Sequence, residues 1–277
     1  MSDIAGSSVR IISGTLGRRA RSRAASEKSR QRVLAIVAPL ALLLVWEVAV
    51  DLGMADRRLV PPPSGIALTF VSMLGSGELL GHLGATLFRV GAGYAIAIIP
   101  GVALGLMMAM WKPVRYALDP LIAALFPVPK IALMPLLLLA FGFGEASKIA
   151  VVAIAAFFPI LINTYSGAAN IEKIYIDAAR NFGATPGIMF RKVVLLGAMP
   201  MIFTGLRLAL GLSLLIVVAA EFVAADEGVG QLIWTSWELL QVDRMFVGVV
   251  TMGILGVLTT LLLQELEQVV IPWKQRA

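Results

Sequence analysis

A chain of 277 residues that is 59% hydrophobic and 14% charged, with a mean hydropathy of +0.89, excludes a water-soluble globule, whose polar surface needs a larger charged share. Zero cysteines exclude disulfides and thiolate sites, and the single histidine, His82, leaves little for imidazole chemistry. The net charge of +6 would suit a nucleic-acid binder, but in a membrane chain the placement of Lys and Arg says more than their sum.

Residues 1–32 carry Arg10, Arg18, Arg19, Arg21, Arg23, Lys28, Arg30 and Arg32 among Ser, Gly and Ala, and read as a disordered basic cytoplasmic arm beside the lipid, with no nucleic-acid role. The apolar run at 33–50 has the length of a full span and is too long for the core of a secretory signal, so it reads as an uncleaved first helix. Residues 33–277 then form one membrane domain. Further spans fall at about 83–110, 121–141, 148–166, 201–225 and 246–266, giving an all-α membrane protein of about six transmembrane helices. The third holds Pro127, Pro129 and Pro135, so it is expected to kink or to begin as a short helix near the interface.

With the N-terminus in the cytoplasm, Lys112, Arg115, Lys173, Arg180, Arg191, Lys192, Lys274 and Arg276 share the side of the basic arm. The opposite side receives Asp51, Asp56, Arg57, Arg58, Glu78, Asp226, Glu227, Glu238 and Asp243, an asymmetry that obeys the positive-inside rule. Small residues recur within the spans: Gly101 and Gly105 form a GxxxG, and Gly91, Gly93, Gly205, Ala209 and Gly211 extend the theme, which points to close helix packing and to no chemistry.

Five charges near the membrane need a reason, namely Glu47, Arg89, Lys130, Arg207 and Glu221. Arg89, Arg207 and Glu221 lie near span ends, where snorkelling to the headgroups accounts for them; a second reading has Arg89 or Lys130 attract an anion along a pathway. Arg207 and Glu221 are separated by roughly 21 Å of helix axis and cannot pair with each other.

Residues 172–200 form a polar island between two apolar runs. Residues 171–182 have helical character, and Gly183 stands where a helix ends in a left-handed residue. Thr185 can cap a second helix whose first turn holds Pro186. Asp177 beside Ala178 and Ala179 offers a carboxylate next to two small side chains, with Arg180 as a polar anchor, which suits docking into another protein's groove.

The order Asp177-Ala178-Ala179, Arg180-Asn181-Phe182, Gly183 and later Pro200 resembles the Glu-Ala-Ala loop of ABC importer permeases. The strings LVPPPSGI (59–66), PVPKIALMPLLLLAFGFGEASKI (127–149), FFPILINTYSGA (157–168) and GLRLALGLSLLIVVAAEF (205–222) extend the resemblance from about Leu59 to Trp273, toward the sulfonate, taurine and nitrate branch. It implies the type I ABC importer transmembrane-domain fold in a multi-pass protein of the bacterial plasma membrane. It implies a permease subunit that forms the path for a small organic or inorganic anion, paired with a second permease subunit as a homodimer and served by an extracytoplasmic solute-binding protein. Cytoplasmic ATPase subunits would bind ATP and Mg, leaving this chain without cofactor or catalysis of its own, and no GxxxxGK[ST] phosphate loop is present. Asp177, Ala178, Ala179, Arg180, Gly183, Thr185 and Pro186 would form the coupling surface within a loop at about 171–200. Pro127, Pro129, Lys130, Pro135, Arg207 and Glu221 would line or gate the path. Asp177 replaces the commoner Glu of the pattern, and Leu196-Gly197 stands where relatives carry Leu-Pro, so the bend closing the second coupling helix is expected to be softer.

Three rivals compete on sequence alone. A secondary transporter driven by an ion gradient would show internal repeats and midplane ion ligands, and no convincing repeat is visible. A membrane enzyme would need a cluster of His, Asp or Glu within its spans, and a channel would need no docking island.

Overall fold

The computed structural model describes residue 30, residues 33–35 and residues 37–273. Except for Arg30, the basic arm lies outside the described residues, as do Lys274 and Arg276. The chain divides into two compact units between Ile66 and Ala67.

In the first unit, α1 spans Val33–Asp51, and α2, Pro63–Gly75, begins just before the boundary. Glu47 on α1 accepts hydrogen bonds from the Ser64 amide at 3.0 Å and its hydroxyl at 2.6 Å. The carboxylate thus sits at the N-terminus of α2, where unpaired amides and the helix dipole favour an anion.

The second unit continues with α3 (Glu78–Met110), α4 (Lys112–Leu125), a 3-10 turn (Lys130–Leu133), α5 (Met134–Phe141) and α6 (Glu145–Ala169). After α6 come α7 (Lys173–Asn181), α8 (Pro186–Ile188), a π-helical turn (Met189–Val194), α9 (Leu195–Ala224), α10 (Val229–Glu238) and α11 (Val242–Val270). No strand occurs among the described residues. Among the described residues, five helices are long and apolar enough to cross a membrane, and a sixth crossing exists if the pair α4 and Lys130–Phe141, bent by 91°, counts as one span.

Helix direction decides that question. Gly93 of α3 abuts Val152 of α6, Gly101 abuts Ile160, and Gly105 abuts Thr164. Both numbers rise together, so α3 and α6 run parallel. Arg89 of α3 binds Glu145 at the start of α6, and Arg89 stands about 31 Å of helix axis from the end of α3, roughly the thickness of the hydrocarbon core. Residues 111–144 must therefore carry the chain back across. The sequence expectation of a kinked third span holds, in the form of a crossing broken near its middle.

The other pairings complete the bundle. Gly205 of α9 meets Asn163, and Gly167 of α6 meets Met201, so α9 runs antiparallel to α6. At one end Arg244 of α11 pairs with Glu78 of α3, and further along Glu267 of α11 pairs with Arg207 of α9. These glycines permit backbone approach where lipid removes the hydrophobic drive between helices. Gly91 and Gly211, also read as packing residues, have open space where a Cβ would project, so they do not serve packing within the described chain.

The expectation of a softer bend where Leu196-Gly197 replaces Leu-Pro agrees with the backbone: Pro186–Ala224 is a continuous helical run of 39 residues that passes through the π turn into α9. The lone amide lost at Pro200 costs one internal bond, which neighbouring helices tolerate.

At Gly105 an added Cβ would lie 2.7 Å from Thr164 Cβ and 2.8 Å from the Leu161 carbonyl. Gly105→Leu is expected to destabilise the α3–α6 pair by about 1–3 kcal/mol through overpacking, read as a lower thermal midpoint in detergent, whereas Gly91→Leu leaves it unchanged.

Candidate functional site

The expected site residues fall into four places. The first is α7, which has no buried residue and follows the end of α6 after Asn170. Its polar face carries Asp177 and Arg180, both mostly exposed and 3.8 Å apart, a spacing that stabilises little. Ile174, Tyr175 and Phe182 are exposed too, and Phe182 reaches 91%. Gly183 takes φ +75°, and the amides of Phe182, Gly183 and Ala184 turn back to the carbonyls of Ala178, Arg180 and Ala179, which ends the helix as the glycine foretold. Thr185 accepts from the Ile188 amide at 3.4 Å and Pro186 occupies the first turn, so the cap signals are also met.

The second place is the break in the third span. Pro127, Pro129 and Pro135 surround it and are exposed. The Lys130 ammonium donates to the carbonyls of Leu125, Phe126 and Val128 at 2.9, 2.8 and 2.8 Å, and lies 4.6 Å from the centroid of the Phe158 ring. An ammonium has three N–H donors, and all three are spent on carbonyls at the end of α4. Such a cation neutralises the helix terminus and fixes the bend. It has no donor left to attract an anion.

The third place is a buried charge cluster at the end of the bundle remote from α7. Arg89 is 3% exposed and grips Glu145 through Nε at 2.6 Å and Nη2 at 2.7 Å. Its Nη1 donates to Glu221 at 2.8 Å and to the Glu227 carbonyl at 2.5 Å. Glu221 is 1% exposed and also accepts from the Thr86 hydroxyl at 2.8 Å and the Gly230 amide at 2.8 Å. Lys148, 3% exposed, bonds the Phe143 and Gly144 carbonyls and lies 3.7 Å from Glu145. Two cations face two carboxylates, so the cluster carries no net charge. The snorkelling reading of Arg89 and Glu221 is thereby corrected: neither reaches the headgroups, because each finds its partners inside the protein.

The fourth place is Arg207, whose side chain is 38% exposed and whose Nη2 bonds Glu267. Its Nε is buried without a hydrogen-bond partner. Arg207 and Glu221 lie on one helix 14 positions apart, so the structure does not gather the expected gate residues into a single site. Glu145, Lys148, Thr86, Gly228, Gly230 and Glu267 escaped the sequence reading; the acid inside the last span and the two glycines flanking Val229 were the available signals. No group of three or more potential metal ligands occurs among the described residues.

Comparison with known proteins places this geometry. The family model described as binding-protein-dependent transport system inner membrane component matches residues 101–272. The chain is 33% identical, over 86% of its length and 87% of the relative, to a putative aliphatic sulfonates transport permease protein, SsuC, of Bacillus subtilis (strain 168). It is likewise 33% identical, over 88% and 91%, to the taurine transport system permease protein TauC of Escherichia coli (strain K12). A solved structure described as an amino acid ABC transporter with histidines shares the fold at a TM-score of 0.54 and 19% identity, covering 73% of this chain and 97% of that one.

Arg89→Met leaves Glu145 and Glu221 without their shared cation and is expected to cost about 3–5 kcal/mol, visible as a lower thermal midpoint and yield. The double variant Arg89→Met with Glu221→Gln removes one stranded charge and is expected to recover part of the loss in the same assay.

Proposed function

Because this chain belongs to the family of binding-protein-dependent transport system inner membrane components, we propose that it forms the path by which a small sulfonate-like anion crosses the membrane. Membership makes it the permease subunit of an ATP-driven importer, with ATPase and substrate-binding partners, and sets aside the ion-gradient-driven secondary transporter.

The observation that carries the coupling is α7, a helix with no buried residue that offers apolar side chains and small residues together. An ATPase subunit receives this helix: Asp177, Ala178 and Ala179 enter its groove, Arg180 supplies a polar contact, and Gly183 makes the turn toward Thr185 and Pro186. ATP and Mg bind to that partner. Lys112, Arg115, Lys173, Arg180, Arg191 and Lys192 gather toward this end, against Asp226, Glu227, Glu238 and Asp243 at the other, which supports a cytoplasmic α7 and, with six crossings, a cytoplasmic N-terminus. The membrane is the bacterial plasma membrane, in keeping with the relatives.

The path runs along α9 and the broken third span. Arg207 is its cation, since its side chain is partly exposed. A second copy of the chain closes the path. An apolar groove of about 700 Å³ between α9 and α11, with Gly211, Gly253 and Gly256 in its wall, offers the small-residue face that such packing favours.

The complex with its ATPase and binding protein, reconstituted in vesicles, is expected to take up alkanesulfonates or taurine only with ATP; uptake driven by an ion gradient without ATP would overturn the reading. Gly183→Leu places a branched side chain at φ +75°, costing on the order of 1 kcal/mol or more and distorting α7. That variant is expected to hydrolyse ATP while uptake falls by about ten-fold or more, a coupling loss of at least ~1.4 kcal/mol.

A further inference from the structure

The Glu221 carboxylate is where four elements of the second unit meet. Thr86 and Arg89 reach it from α3, the Gly230 amide reaches it from the first turn of α10, and Glu221 itself belongs to α9. Glu145 brings in α6 through Arg89. The Val229 amide donates to the Thr86 hydroxyl at 2.8 Å, so α10 is tied to α3 as well. This approach needs two glycines: a Cβ at position 228 would lie 2.6 Å from Glu221 Oε2, and one at 230 would lie 2.9 Å from it. Gly228 also takes φ +129°, which disfavours any side chain. Around a single buried carboxylate the protein has therefore built a guanidinium, a hydroxyl and a helix N-terminal amide, a donor set that suits a carboxylate whatever it is attached to.

We propose that Glu221 is a positioning residue for transport, an internal carboxylate ligand that seats the start of α10 on the ends of α3, α6 and α9. Those ends then move as one body when α9 is driven from the α7 side. The cradle recognises the carboxylate by its donors and not by its tether, so it takes up free formate or acetate once Glu221 is shortened. The transport half rests on the function proposed above; the cradle half does not.

Glu221→Ala, in the full complex reconstituted in vesicles, is the test. Uptake is expected to fall by about ten-fold while ATP hydrolysis falls much less, so that more ATP is spent per solute moved. Sodium formate at about 50 mM is expected to restore several-fold of the lost uptake, whereas equal sodium chloride does not, as befits a weak millimolar ligand. Wild-type uptake is unchanged by either salt. Wild-type coupling in Glu221→Ala, or a defect identical in formate and chloride, overturns the proposal. Should that variant fail to assemble, Glu221→Gln serves: it keeps the volume but sets an NH2 against either the Arg89 guanidinium or the Gly230 amide, so poorer coupling is expected, and wild-type coupling overturns the proposal equally. A formate-dependent rise in the thermal midpoint of purified Glu221→Ala needs neither substrate nor ATPase. If that rise appears and the wild type transports no sulfonate, the substrate assignment fails and the cradle stands; if transport is sound and the rise is absent, the cradle fails alone.

Discussion

Hydrocarbon offers no hydrogen bonds, and most of the architecture follows from that constraint. Each polar group within the bundle must be answered by the chain itself. Ser213, Thr204, Thr251 and Thr260 turn their hydroxyls back to carbonyls one helical turn earlier. Lys130 closes the end of α4, and Lys148 bonds the residues that lead into α6. The same rule assembles Arg89, Lys148, Glu145 and Glu221 into a neutral cluster, since Arg89, Lys148 or Glu221 alone would be costly to bury. Thr164 Oγ1 and Arg207 Nε are buried atoms left unanswered, and the second belongs to a side chain that is partly exposed.

Glycine supplies the complementary condition. Polar groups on different helices meet only if the backbones come close, and Gly93, Gly101 and Gly105 give α3 a smooth face against α6. The pair runs parallel, and a parallel pair demands a return crossing between its members. The third span is thus required by the α3–α6 contact, while its break coincides with its own prolines.

Much of this was legible from the residues, and the unread part has a physical reason. Hydropathy placed the spans, and Gly183, Thr185 and Pro186 marked the ends of α7 and the helix after it, because these are local signals. Close packing was legible at Gly101 and Gly105, but a GxxxG does not name its partner, and Gly91 and Gly211 show that not every small residue packs within the described chain. The charges misled for the same reason. Arg89 meets acids 56 and 132 positions away, and without that pairing snorkelling is the cheapest local account. The softer bend expected at Leu196-Gly197, where relatives carry Leu-Pro, was a local signal too, and the helix there continues.

That continuity has a mechanical meaning. From Pro186 to Ala224 the chain is a rod about 58 Å long, nearly twice the thickness of the hydrocarbon core. A rod pivoting near its midpoint by ~10° carries each tip about 5 Å, in opposite directions, a distance close to one helical turn. Inward movement at one face is then outward movement at the other, with no relay of side chains required between them. The π turn at Met189–Val194 and Pro200, which forfeits one internal amide bond, are the places along this shaft where the helical ladder is loosened, and both lie in the half beside α7. Compliance is gathered in the half of the shaft nearer α7, and the half nearer Glu221 is unbroken helix.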